Sequence, residues 1–192
     1  MNAVIQNMIE RRSIRRFTEE QIPEETLNEI LTAGLWAPCA GGRQAVKIVV
    51  MQSNTSNASL GRINRNLFGA ARSAPKPGQE QISIAEDSSI PNAFYDAPTV
   101  LALFTPNNYP NSIQDCVVTA ENIMLAAWSL GIGSVYIARG EKTFESEEGQ
   151  ALMKKWGLGE EYQCHSLIPL GFPKGNLGKG APRKVDRIIF DK

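Results

Sequence analysis

The chain has little of what most catalytic classes require. Among 192 residues there is one histidine, His165, and there are three cysteines, Cys39, Cys116 and Cys164. The cysteines are odd in number, far apart and never in a CxxC. This argues against a disulfide framework and against a metal site, and it fits a reducing, cytoplasmic setting. Neither GxSxG nor GxxxxGK[ST] occurs, so the serine-hydrolase and P-loop readings lack their elements. No carboxylate pair has an obvious partner spacing. No apolar run approaches the ~20 residues of a membrane span. The start, Met1-Asn2-Ala3-Val4-Ile5-Gln6, has neither the basic region nor the apolar stretch of a signal peptide. An excess of one charge is also missing. Lys plus Arg is 20 and Asp plus Glu is 20, which argues against a nucleic-acid or anionic-membrane partner.

What is present is apolar pattern. Hydrophobic residues make up 42% of the chain, enough for the core of one domain over 1–192. Residues 2–10 read as a helix with Asn2 as N-cap. A second helix is expected over 23–35, with Pro23, Glu24 and Glu25 in its first turn and Leu27, Ile30, Leu31, Gly34 and Leu35 as its buried stripe. It stops before Pro38. The strongest helix runs over 112–130. Ile113, Val117, Ala120, Met124, Ala127 and Leu130 keep the helical period, Ile123 and Ala126 widen the stripe, and Gly131 caps the end. Ser146 caps a further helix that ends near Gly157. Short strands are expected at 46–51, 98–104, 134–137, 167–170 and 187–190. The polar segment 53–92, with a short helix through Leu60, Ile63, Leu67 and Phe68 and a loop at Ser73-Ala74-Pro75-Lys76-Pro77-Gly78, reads as a mobile cover. The sum is an α+β fold, a mixed sheet flanked by helices.

Four arginines fall within six positions in Arg11-Arg12-Ser13-Ile14-Arg15-Arg16. Guanidinium groups grip phosphate in bidentate fashion, and Ser13 adds a hydroxyl. Taken alone, such a run also suits a solvated surface. Ala37-Pro38-Cys39-Ala40-Gly41-Gly42-Arg43-Gln44 is rich in small residues that let a flat ligand approach the backbone, and Gln44 could bond an amide-bearing ring. It equally suits an ordinary helix-to-strand loop. Gly131-Ile132-Gly133-Ser134 begins like a dinucleotide fingerprint, but Tyr136 stands where the third glycine belongs. His165 sits at the start of a strand, where a lone histidine is usually structural. With so few acids, bases and nucleophiles in suitable arrangements, a bound cofactor is the natural carrier of any chemistry, and no catalytic side chain is assigned.

Taken together, these segments resemble the nitroreductase family of FMN-dependent enzymes over nearly the whole chain. The matching stretches are Ile9-Glu10-Arg11-Arg12-Ser13-Ile14-Arg15-Arg16-Phe17, Trp36-Ala37-Pro38-Cys39-Ala40 with Gln44, and Tyr95-Asp96-Ala97-Pro98. They continue with Glu121 to Ala127 through Gly131-Ile132-Gly133-Ser134, then Ile168-Pro169-Leu170-Gly171-Phe172-Pro173 and Pro182-Arg183-Lys184. The resemblance implies an intertwined homodimer with FMN at the interface and NAD(P)H as reductant. It also implies a ping-pong reduction of a small-molecule acceptor, nitroaromatic or quinone-like. It places Arg11, Arg12, Ser13 and Arg183 on the FMN phosphate and ribityl chain and Arg15 at the pyrimidine end of the ring. Pro38, Cys39 and Ala40 would meet the flavin from the other subunit, and backbone groups of Tyr136, Ile137 and Ala138 would lie by its reactive edge. The second motif departs from the family's usual Ser-Ser or Ser-Ala, Asn and Pro-Trp, having Cys39-Ala40, Gly42 and Ala45-Val46 instead. The alternatives are another redox task on the same fold, a flavin-binding protein without turnover, and an α+β domain that binds some other phosphate-bearing ligand.

Overall fold

The computed structural model describes residues 1–67, 90–177, 180 and 182–191. A four-stranded sheet forms its centre, in the order β1 (Lys47–Met51), β2 (Thr99–Pro106), β4 (Tyr162–Gly171), β3 (Gly133–Ser134). The ladders between these strands are all antiparallel, and a parallel bridge joins Ser13 to Ser134. Both faces of β2 are buried, so its side chains divide by alternation. Val100, Ala102 and Phe104 join one core with Leu60, Phe94, Phe144 and Met153. Leu101 and Leu103 join the other with Ile30, Ile123, Ala127 and Ile168. A bulge between Leu103 and Phe104 shifts the register against β4.

The first helices follow the sequence signals closely. In α1 (Ala3–Glu10) the Asn2 side-chain oxygen accepts from the Val4 amide at 2.8 Å. In α2 (Glu24–Leu35) Leu27, Ile30 and Gly34 face the core. Leu35 does not: it is 66% exposed, as is Trp36 at 84%, so the expected stripe is one residue too wide. The central α4 (Ser112–Ser129) buries Cys116, Ala120, Ile123, Met124 and Ala127, and Gly131 takes the left-handed conformation expected of its cap. Ile113 and Val117 lie on the outside. In α6 (Glu147–Lys155) the Ser146 hydroxyl accepts from the Gly149 amide at 3.1 Å.

Two expectations need correction, and one element was not expected. The segment read as a mobile cover begins with α3 (Asn54–Leu67), which belongs to the core: Leu60 is fully buried, Asn57 donates to the Met51 carbonyl, and Asn64 donates to Ala138 and Thr143. Phe68 and the Ser73–Gly78 loop lie outside the described residues. The short α5 (Gly140–Phe144) had no signal in the sequence; its N-cap, Arg139, is left-handed and offers no side-chain cap bond. Residues 187–190 form no ladder, and Ile188 and Ile189 are exposed. A β-branched run has the propensity, but a strand exists only where a neighbouring edge accepts its hydrogen bonds.

The α2–α4 crossing depends on Gly34. A Cβ there would stand 2.7 Å from Cγ1 of the fully buried Ile123, and Asn122 satisfies the Ala33 carbonyl at 3.0 Å beside it. Gly34→Ala should therefore lower stability by about 1–3 kcal/mol through overpacking. Ile123→Ala should cost less in that background than in the unaltered chain, as chemical denaturation of the double-mutant cycle would show. Strict additivity would mean the two helices do not meet at this pair.

Candidate functional site

The arginine segment docks on the open edge of the sheet. The Ile14 amide donates to the Ser134 carbonyl at 2.9 Å. Gly133 makes this approach possible, because a Cβ at that position would stand 2.8 Å from the Ile14 side chain. Three residues later Phe17 is buried and bridges to Pro173, while the Lys174 amide donates to the Arg16 carbonyl at 2.9 Å. With Ile14 and Phe17 as anchors, Ser13, Arg15 and Arg16 stay exposed. Arg12 turns back and donates through Nη1 to the carbonyls of Ile9 and Arg11, satisfying the end of α1. Its Nε is buried without a partner, and so are Nη1 of Arg11 and Oγ of Ser134. Gly180 lies against Arg12, since a Cβ there would be 2.6 Å from the guanidinium carbon. Gly180 thus brings the C-terminal segment to Arg12, and Arg183, three residues later, is exposed.

Past Ser134 the chain still pairs with β4. The Ile137 amide donates to the Leu167 carbonyl at 2.8 Å, and the Leu167 amide returns the bond at 3.2 Å. Such a pair turns the backbone groups of its two neighbours to the opposite side. Tyr136 and Ala138 thus face away from β4, while Ile137 faces it. Tyr136 Oη lies 3.0 Å from the buried Ser166 hydroxyl, and the Ala138 carbonyl accepts from Asn64 at 2.9 Å.

One participant was missed at the sequence level. Tyr95 and Asp96 both have positive φ, 57° and 53°, which a bulky tyrosine rarely adopts. Asn92 holds this turn: its oxygen accepts from the Phe94 amide at 2.8 Å and its nitrogen donates to Asp96 at 2.5 Å. The Tyr95 hydroxyl meets Arg15. Burial pushes this phenol above its ordinary value of 10.0, and the Arg15 charge and hydrogen bond partly offset the rise. Tyr95 stood within a recognised motif but had no role attached to it. Only the fold brings it to Arg15.

Pro38, Cys39, Ala40 and Gln44 lie elsewhere. Their loop has three left-handed residues, Gly41, Gly42 and Gln44. It is fastened to the first turn of α4, where the Ala40 amide donates to the Asp115 carboxylate at 3.2 and 3.3 Å. Asp115 also accepts from Tyr109 Oη at 2.5 Å. The arginine segment instead follows α1, whose Asn7 donates to the Leu125 carbonyl. Ten residues of α4 separate Asp115 from Leu125, about 15 Å at 1.5 Å per residue. Within one chain the two motifs are apart. His165 lies apart from both, with Nδ1 2.9 Å from Glu141 Oε1. Among the described residues no group of three or more His, Cys, Asp or Glu could hold a metal ion, and no helix is long and apolar enough to cross a membrane.

Comparison with known proteins identifies the family. The Nitroreductase family model matches residues 8–172, and the chain belongs to that family. An Archaeoglobus fulgidus protein with the provisional name NADH dehydrogenase/NAD(P)H nitroreductase is 30% identical over 179 residues, covering 91% of this chain and 87% of its own. A Bacteroides fragilis nitroreductase, solved with FMN bound, superposes with a TM-score of 0.80 at 26% identity, covering 100% of both chains. A Desulfitobacterium hafniense nitroreductase with bound FMN shares the fold, with a TM-score of 0.81 at 24% identity and the same coverage.

The Tyr109–Asp115 bond has a titration signature. The phenol's pKa is raised chiefly because its hydrogen bond to Asp115 favours the neutral form, with burial and the carboxylate charge adding to the effect. The folded value exceeds the unfolded one. The stability contributed is therefore full below pH ~10 and is lost as pH rises through the folded value. Difference titration against Tyr109→Phe should show this phenolate appearing above pH ~10, and Asp115→Asn should move it down. An unchanged midpoint in Asp115→Asn would mean the bond does not govern the phenol.

Proposed function

We propose that the protein is an FMN-dependent oxidoreductase that takes electrons from NAD(P)H and reduces an organic acceptor, nitroaromatic or quinone-like, by ping-pong exchange. We propose also that it works as a homodimer whose chains jointly complete each flavin site. Family membership and the FMN-bound Bacteroides fragilis relative support the class. The observation that carries it to this chain is that, among the described residues, Arg11 Nη1 and Arg12 Nε, just before the segment docked on β3, and Ser134 Oγ of β3 itself are buried without partners. Buried donors are nearly always satisfied in folded proteins, so orphaned ones on adjoining segments suit a ligand's place. Two of the three are cationic, which suits a phosphate.

The residues fit FMN. Arg11, Arg12, Ser13 and Arg183 would hold its phosphate and ribityl chain. Arg15, held by Tyr95, would put a fixed positive charge at the pyrimidine end, favouring negative charge there. Tyr136 and Ala138 would offer backbone groups to the ring, with Ile137 orienting them. When bound, FMN supplies the two-electron redox chemistry between NAD(P)H and the acceptor. No side chain is assigned as acid, base or nucleophile, and protons would come from solvent.

The two-chain site follows from the distance along α4. If the Pro38–Gln44 loop meets flavin, it must meet the flavin held by another chain's arginines. A surface for that chain exists. Val4, Ile5, Met8 and Ile9 of α1, Leu35 and Trp36 at the end of α2, and Ile113 and Val117 of α4 are all exposed apolar residues. A surplus of this kind marks an interface, and obligate dimers bury roughly 2,000–5,000 Å².

Protein incubated with FMN and desalted should be yellow, and NADH or NADPH should bleach it in the absence of oxygen. Retained colour without bleaching would favour a binding protein, and a colourless product would refute the flavin reading. Arg11→Ala or Arg183→Ala should weaken FMN binding by about 1.5–3 kcal/mol per lost charge-assisted bond, without unfolding. Wild-type affinity in the folded double variant would remove the phosphate assignment. Cys39→Ser should keep both FMN and NAD(P)H oxidation, because a small side chain is all its place requires. Loss of reduction in an FMN-loaded Cys39→Ser protein would give the thiol a chemical role.

A further inference from the structure

We propose that Asp115 is a positioning residue for the flavin site, fixing the Pro38–Gln44 loop through the Ala40 amide and the Tyr109 hydroxyl. This rests on the reading above, in which that loop meets flavin bound by the partner chain.

Asp115 is 4% exposed, in the first turn of α4. A buried carboxylate is costly unless its oxygens are satisfied. Here the hydrogen-bond partners are neutral: the Ala40 amide, which reaches both oxygens, and Tyr109 Oη. The positive end of the α4 dipole supports the charge from behind. Tyr109 Oη, whose one proton goes to Asp115, also lies 3.4 Å from the Ala40 carbonyl, and the Arg43 guanidinium lies over its ring at 6.0 Å. The Ala40 amide therefore leaves the loop for the carboxylate.

The loop has little else to hold it. Its internal bonds are long: Gly42 to the Cys39 carbonyl at 3.3 Å, Arg43 to the Ala40 carbonyl at 3.4 Å, and the Gln44 amide to Cys39 Sγ at 3.4 Å. Gly41, Gly42 and Gln44 take φ of 61°, 66° and 48°. The non-glycine Gln44 keeps such a φ only where surrounding bonds impose it. Without Asp115 the loop would have to be ordered when the cofactor binds, and that ordering weakens binding. The carboxylate reaches the flavin through the loop, with no direct contact.

The test compares the wild type with Asp115→Ala, Asp115→Asn, Asp115→Leu and Tyr109→Phe by hydrogen exchange over residues 39–44 and by FMN affinity from fluorescence quenching. Asp115→Ala should speed exchange in this loop, leave the arginine segment unchanged, and raise the FMN dissociation constant about tenfold or more. Asp115→Asn keeps a carbonyl acceptor and should restore most of both readings, whereas Asp115→Leu, similar in size but without an acceptor, should not, which separates the hydrogen bond from packing. Tyr109→Phe should fall between, and it decides the question should Asp115→Ala fail to fold. Wild-type exchange and affinity in Asp115→Ala, or in Tyr109→Phe if only that variant folds, would overturn the proposal. So would an Asp115→Asn protein as impaired as Asp115→Ala. A wild-type chain that takes up no FMN would overturn the functional reading and the flavin role together. A flavin-binding wild type with an indifferent Asp115 would overturn this proposal alone.

Discussion

The hydrogen bond from the Ile14 amide to the Ser134 carbonyl determines where the arginines stand. It forms because Gly133 has no side chain to exclude Ile14 and because β3 is the edge strand of the sheet. The N-terminal segment takes that edge, buries Ile14 and Phe17, and leaves Ser13, Arg15 and Arg16 exposed. The continuation to Tyr136 and Ala138 presents backbone groups beside them, and Tyr95 meets Arg15 from a strained turn. A basic run that could have been surface becomes a site because two apolar anchors hold it against the sheet.

The second constraint is the length of α4. One of its ends holds the Pro38–Gln44 loop through Asp115, and the other lies by α1 and the arginine segment. A rigid helix cannot bring its own ends together, so within one chain the two segments stand apart, and on the proposed reading each is half of a flavin site. The same helix carries Ile113 and Val117 on the face its own core leaves open. Separated half-sites and uncovered apolar surface together favour a second copy, and a two-fold pair is the commonest closed assembly.

Much of the fold was legible because local rules decided it. Asn2 and Ser146 cap their helices through the bonds their side chains suggest, and Gly131 turns left-handed where α4 ends. Legibility failed where the outcome depended on distant parts of the chain. Leu35 fits the helical period yet is exposed, because periodicity reports which side is apolar and not whether anything covers it. Residues 187–190 have strand composition without a strand neighbour. Asn57 and Asn64 read as polar cover residues, but in α3 they are buried donors that tie the helix down. In the site, the resemblance named the arginines. Nothing local pointed to Asp115 or Tyr95, which meet Ala40 and Arg15, 75 and 80 residues away in sequence.

The central claim is that two chains share each flavin. Sedimentation and flavin fluorescence, followed together as FMN-loaded protein is diluted, test it most directly. The account predicts that dimer dissociation and flavin release coincide, and that added FMN shifts both to lower protein concentration by mass action. A stable monomer that keeps its FMN would contradict it.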